Sequence, residues 1–125
     1  MNQPPCIEHW TDLLPSYETS KLAVTRFSEF VDREYGPRGI LCYSLHPGAV
    51  PTELSLGGIP EHYHSLLCDT PELCGDSIAW LAAEQRDWLA GRYVSVRWDM
   101  KELLGKREMI EKGDLLKVRM DVGME

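Results

Sequence analysis

Tyr17-Glu18-Thr19-Ser20-Lys21 opens an amphipathic segment that runs on to Tyr35 and is followed, across Gly36-Pro37-Arg38-Gly39, by the apolar run Ile40-Leu41-Cys42-Tyr43-Ser44-Leu45. The first part predicts a helix over 17–35, because Leu22, Ala23, Val24, Phe27, Phe30 and Val31 recur at helical spacing. Residues at i and i+4 share a helix face, so Tyr17 and Lys21 address one small volume beside it. A free phenol titrates near ~10 and a free ammonium near ~10.4. An ammonium held beside a phenol favours the phenolate and draws its proton toward working pH, which suits transfer to or from a substrate oxygen. The same spacing also occurs in ordinary amphipathic helices, with the tyrosine packed and the lysine in solvent, so the pair takes its meaning from its surroundings.

Pro15 and Ser16 lead into this helix, with Ser16 the expected N-cap and Glu18 placed where the macrodipole favours negative charge. Its apolar residues occupy more than one side, which predicts packing against a sheet and against a second surface. Gly36, in the C′ position, and Pro37 end it. The run 40–45 lies between turn signals and predicts a strand buried on both faces, as in a parallel sheet. Helix, short turn and buried strand form one arm of a β-α-β unit, and in such sheets ligands sit outside the carboxyl ends of the strands. The loop Pro47-Gly48-Ala49-Val50-Pro51-Thr52 falls there, although taken alone it reads equally well as a turn.

The remainder divides in the same terms. Residues 1–16, with Pro4, Pro5 and Pro15, form a loop in which His9 and Trp10 pack. Residues 53–70 lack periodicity and predict a lid or an irregular pair of short helices. The segment 71–98 carries a helix from Pro71 to about Arg86, capped by Thr70, and then a strand at Tyr93-Val94-Ser95-Val96. The segment 99–125 carries a helix from Met100 to Lys112, capped by Asp99 and supported by Glu102 to Lys106 at i, i+4. Leu115 to Val122 alternates and reads as an edge strand or an extended tail.

The chain of 125 residues is the size of one domain, and its 43% hydrophobic content suffices for a core. A net charge of −7, from 20 acidic and 13 basic residues, argues against nucleic acid and anionic membranes as partners. No run reaches the length of a membrane span or a signal peptide, so a cytoplasmic protein is expected. Cys6, Cys42, Cys68 and Cys74 show no disulfide-framework spacing and are expected as free thiols. His62-x-His64 near Cys68 and Cys74 matches no zinc spacing, so no metal is expected and the histidines are read as shaping a pocket.

Tyr17-x-x-x-Lys21, a buried strand, Pro47-Gly48-x-Val50-x-Thr52, a lid, a helix and Gly91-Arg92-Tyr93-Val94-Ser95, in that order, resemble the carboxyl-terminal half of a short-chain dehydrogenase/reductase. The charged segment from Trp98 to Val122 further resembles fungal members. The resemblance covers nearly the whole chain from Ser16 onward. It implies an α/β, partial Rossmann-like fold, a doubly wound parallel sheet lacking the N-terminal dinucleotide-binding β-α-β unit. It also implies carbonyl/alcohol interconversion with NADP(H) or NAD(H). Tyr17 takes the role of proton donor or acceptor and Lys21 lowers its pKa and holds the nicotinamide ribose. Pro47, Gly48, Val50 and Thr52 lie against the cofactor, Gly48 allowing close backbone approach and Thr52 offering a hydroxyl. In the family the matching helix packs against its copy in another subunit, so Phe27 and Phe30 are candidate contacts of a homo- or hetero-oligomer.

The chain also departs from the family pattern. Its first glycine is Gly36, so no glycine-rich phosphate turn precedes Tyr17. Pro4 stands at the usual spacing of the catalytic serine, and neither Ser16 nor Ser20 is placed to replace it. Two further readings follow from these gaps: a truncated pseudoenzyme that pairs with another subunit through the long helix or an open sheet edge, and a cofactor-independent isomerase or cyclase that keeps only the acid.

Overall fold

The computed structural model describes residues 15–121 and 123. The expectations for His9, Trp10, Cys6, Pro4 and Val122 lie outside the described residues. The first element is helix α1, Pro15–Tyr35. Proline suits a first helical position, since its missing N–H would have no intrahelical partner there. Ser16 is therefore inside the helix rather than its N-cap, and the loop expected over 1–16 gives up its last two residues to α1. A 3-10 turn, Gly36–Arg38, closes the element. The left-handed residue is Gly39, at φ 83°, rather than Gly36. Pro37 continues the helical hand for one more turn, which moves the reversal three residues on.

Strand β1, Ser44–His46, pairs in parallel with β2, Tyr93–Ser95, with Leu45 opposite Val94. β1 is shorter and later than the expected 40–45, and half-buried rather than buried on both faces. Gly91 takes φ 68° opposite its start and its N–H meets Cys42 O at 2.8 Å, so the regular ladder begins only afterwards. Among the described residues β1 pairs with β2 alone.

The two faces of this pair are covered differently. Leu45 and Val94 face the core residues Leu81, Trp88, Leu89, Leu103 and Ile110. These come from helix α3, Pro71–Ala82, a 3-10 turn at Asp87–Leu89, and helices α4, Met100–Gly105, and α5, Arg107–Lys112. Ser44 faces α1, its hydroxyl 3.1 Å from that of Thr25. The architecture is α/β, with helices on both sides of a parallel pair.

Three expected elements differ in detail. The segment 53–70 holds a short helix α2, Glu53–Gly58, and a 3-10 turn, Glu61–Leu66, anchored by buried Ile59 and Leu67. α3 stops at Ala82 because buried Arg86 folds back, its Nε donating to Trp80 O at 3.1 Å and its guanidinium 3.6 Å from the Trp80 ring centroid. The helix expected over Met100–Lys112 breaks at Lys106 (φ −96°, ψ 4°), after Gly105, a poor helix former. Asp99 does cap it, accepting from the N–H groups of Lys101 at 2.8 Å and Glu102 at 3.0 Å.

Past α5 the chain takes the form of an extended tail, not an edge strand. Asp114 and Leu116, at φ 46° and 62°, turn it back along α1. Leu116 O accepts from Tyr93 N–H at 2.8 Å, and Glu29 Oε1 accepts from Val118 N–H at 2.7 Å. The tail thus covers the outer edge of β2 and ties it to α1.

Candidate active site

α1 runs antiparallel to the strands. Asp32 lies against Gly91 before β2, Thr25 beside Ser44, and Glu18 is close enough to act electrostatically on His46 at the end of β1. The first turns of α1 therefore stand at the carboxyl end of β1. Tyr17 and Lys21 are both exposed there, and the Lys21 Nζ lies 5.1 Å from the centroid of the Tyr17 ring. The i, i+4 spacing thus brings the two together as a cation over an aromatic face.

The loop from Pro47 to Thr52 leaves the same end of β1. Gly48, at φ 89°, is bound from below: its N–H donates to His46 Nδ1 at 3.1 Å. Ala49 N–H donates to Asp69 Oδ2 at 2.5 Å, and Ala49 O accepts from Asp69 N–H at 3.0 Å. Val50 is half-buried, while Pro47 and Thr52 are exposed. Thr52 is the N-cap of α2 in a reciprocal capping box with Ser55. Its Oγ1 accepts from Ser55 N–H at 3.2 Å and sits 3.1 Å from Ser55 Oγ.

Three residues that pattern reading missed hold this loop. Asp69 precedes α3, and its carboxylate takes Arg97 Nε at 2.5 Å as well as the Ala49 amide. Both side chains of this ion pair are 11% exposed. Burial alone would push the Asp69 carboxyl up, but the Ala49 N–H and the Arg97 guanidinium more than offset it and hold it below the usual range. His46 moves down from 6.5 because it is buried, with Arg97 adding to the effect and Asp69 and Glu18 opposing it. A neutral ring also leaves Nδ1 free to accept from Gly48, so charge and geometry agree. The one sequence signal was the position of these residues: each lies at or just beyond an element end that flanks the loop.

Tyr93 lies between His46 and Trp98, with ring centroids 6.3 and 5.8 Å away. Burial raises its phenol pKa and Glu18 adds to the shift. Trp98 Nε1 is buried without a hydrogen-bond partner among the described residues. His64 Nε2 is 2.8 Å from Ile59 O, and His62 stacks obliquely on Tyr63 at 4.1 Å. Among the described residues no group of three or more His, Cys, Asp or Glu is placed to hold a metal ion. Cys42, Cys68 and Cys74 are free thiols. No helix of the described residues is long and apolar enough to cross a membrane.

The described residues thus place an exposed tyrosine–lysine pair at the carboxyl end of a parallel strand, beside a glycine-containing loop. Comparison with known proteins narrows the class. The chain is 48% identical over 105 residues, 84% of its length, to short chain dehydrogenase mpl6 of Monascus purpureus. It is 44% identical over 108 residues to short chain dehydrogenase pigC of Monascus ruber. It is 46% identical over 109 residues to short chain dehydrogenase andI of Emericella variicolor. The matches cover 36%, 36% and 37% of these relatives, so the chain spans little more than a third of their length. No family model matches the chain, and no solved structure does. By these relatives the chain belongs to the short-chain dehydrogenase/reductase family, over the part of the family's length that it spans.

Proposed function

We propose that the chain is the substrate- and nicotinamide-facing part of a short-chain dehydrogenase/reductase acting on a small carbonyl or alcohol with NADP(H) or NAD(H) in the cytoplasm. What supports this reading above all is the Lys21 ammonium lying 5.1 Å from the Tyr17 ring at the carboxyl end of β1, where the Pro47–Thr52 loop departs. Tyr17 gives its phenolic proton to the carbonyl oxygen, or takes one from the alcohol in reverse. Lys21 stabilises the phenolate left behind and is within reach of a sugar hydroxyl. Pro47, Gly48, Val50 and Thr52 line the approach of the cofactor.

The residues present fit the nicotinamide end of such a cofactor. Gly48, left-handed at φ 89°, lets the loop turn with its bare face against Asp69, and Pro47 and Thr52 are open to solvent. When bound, the nicotinamide carries the hydride. The adenosine end needs a glycine-rich phosphate turn, and the chain holds no glycine before Gly36. The partial Rossmann-like reading assigns that unit to sequence this chain does not carry.

Saturation-transfer NMR with NADPH and NADH tests the reading. Nicotinamide protons are expected to receive saturation and adenine protons far less, and Lys21→Met is expected to abolish the transfer. Saturation absent at millimolar nucleotide, or confined to adenine, overturns it.

A second reading rests on a specific observation: Phe27 is 65% exposed, and Val24 and Phe30 are 59% and 48% exposed along the side of α1 turned from the sheet. That face suits a homo- or hetero-oligomer built on α1, either as part of an active assembly or as the whole function of a pseudoenzyme. Nothing in the geometry favours the cofactor-independent isomerase or cyclase.

A further inference from the structure

Gly48 and Ala49 are the two residues through which β1 turns into the Pro47–Thr52 loop, and every tie on them comes from outside the loop. A Cβ built on Gly48 would meet Asp69 Oδ2 at 2.7 Å and the Asp69 Cβ and Cγ at 3.1 Å. Asp69 therefore presses on the bare face of Gly48 while its carboxylate and its own N–H grip Ala49 from two sides. The carboxylate in turn is held by Arg97, just past β2. Arg97 also donates through Nη2 to Cys68 Sγ at 3.4 Å, and its backbone N–H donates to Ser95 Oγ at 3.4 Å.

From this geometry we infer that Asp69 and Arg97 are positioning residues: together they set the shape of the Pro47–Val50 backbone and, through it, the fit of the nicotinamide end of the cofactor. The inference deepens the functional reading above and rests on it for the ligand. A glycine at φ 89° has few intrinsic restraints on its conformation. Its shape must come from neighbours, and an ion pair whose two side chains are only 11% exposed is a rigid neighbour. The pair also couples the loop to two distant stretches, the end of the 53–70 segment and the end of β2. Neither residue touches the candidate proton donor Tyr17 in the geometry above, so their effect is on placement and not on proton transfer. The carboxylate's lowered pKa means the clamp stays charged throughout the neutral range.

The test uses the whole chain. Asp69→Asn keeps the shape and one acceptor oxygen but removes the charge. Amide hydrogen exchange at Gly48 and Ala49 is expected to speed up at least tenfold, with Leu89 and Leu103 unchanged within twofold. The dissociation constant for NADPH, measured well below the variant's melting temperature, is expected to rise about tenfold. Should Asp69→Asn not fold, Arg97→Lys keeps the positive charge, gives up the planar fork and serves the same measurements. Unchanged exchange at Ala49 in a folded variant overturns the clamp. Faster exchange with unaltered NADPH affinity overturns the positioning role. If the unmodified chain takes up no nicotinamide nucleotide, the functional reading fails, while the exchange data still support or overturn the clamp by themselves.

Discussion

The two faces of the parallel pair are built to different standards. On one, Leu89, Val94 and Leu103 are fully buried and Ile110 nearly so beneath α3, α4 and α5, and α4 is closed by the Asp99 cap. On the other, α1 is the longest element yet buries only Ser28 completely, leaving Leu22, Val24, Phe27 and Phe30 exposed. The candidate pair Tyr17–Lys21 belongs to the loosely covered side. Stability and candidate chemistry are therefore separable: the core holds the strands in place whatever happens to the first turns of α1.

Substitutions can break that separation or sharpen it. The largest effect is expected from Leu103→Ala, which empties a fully buried site. It is expected to cost about 2–5 kcal/mol, read as a lower urea midpoint, with the Lys21–Tyr17 contact surviving in whatever fraction stays folded. Gly48→Ala comes next. It sets a Cβ against Asp69 in a left-handed conformation, and a loss of about 1–3 kcal/mol is expected. Unlike Leu103→Ala it is expected to abolish nucleotide contact as well, which a calorimetric titration reads directly.

The pH dependence on the α1 side is smaller and has a definite sign. His46 titrates below its unfolded value near ~6.5, since burial and Arg97 disfavour its charged form. Its contribution is complete above about pH 6.5 and is lost as pH falls through the folded value. Melting temperatures from pH 8 to 5 should show this decline, and His46→Asn, whose Oδ1 can accept from Gly48 at any pH, should remove it. The smallest stability change is expected from Phe27→Ser, within about 0.5 kcal/mol. Its effect should appear instead in sedimentation velocity, where association through α1 would fall away. An unchanged distribution of species would assign the exposed face no partner.

What was readable in the sequence was local. The 3.6-residue period of Leu22 to Val31, the Asp99 cap and the Tyr17–Lys21 spacing each depend on residues within a turn of one another. The parallel pairing followed from a helix and an apolar run in the right order. What escaped needed contacts across the chain. Arg86 ends α3 by stacking on Trp80, where a helical pattern alone runs on. Gly39 takes the left-handed turn because Pro37 carries the helical hand past Gly36. The exposure of Ile40 follows from Gly91, distant in sequence, interrupting the ladder. Asp69 and Arg97 meet across 28 positions, and no periodicity connects a residue before one helix to a residue after a strand.

The tail has a mechanical consequence. It doubles back over α1 and is held there by the bond from Val118 N–H to Glu29 and by the ion pairs of Glu29 with Arg26 and Arg119. A force applied at residue 121 would load Glu29 first and the Tyr93–Leu116 bond next, before any strain reached Leu103 or Ile110. Pulled from that end, the molecule would yield first where the tail meets the middle of α1, while its core stayed intact.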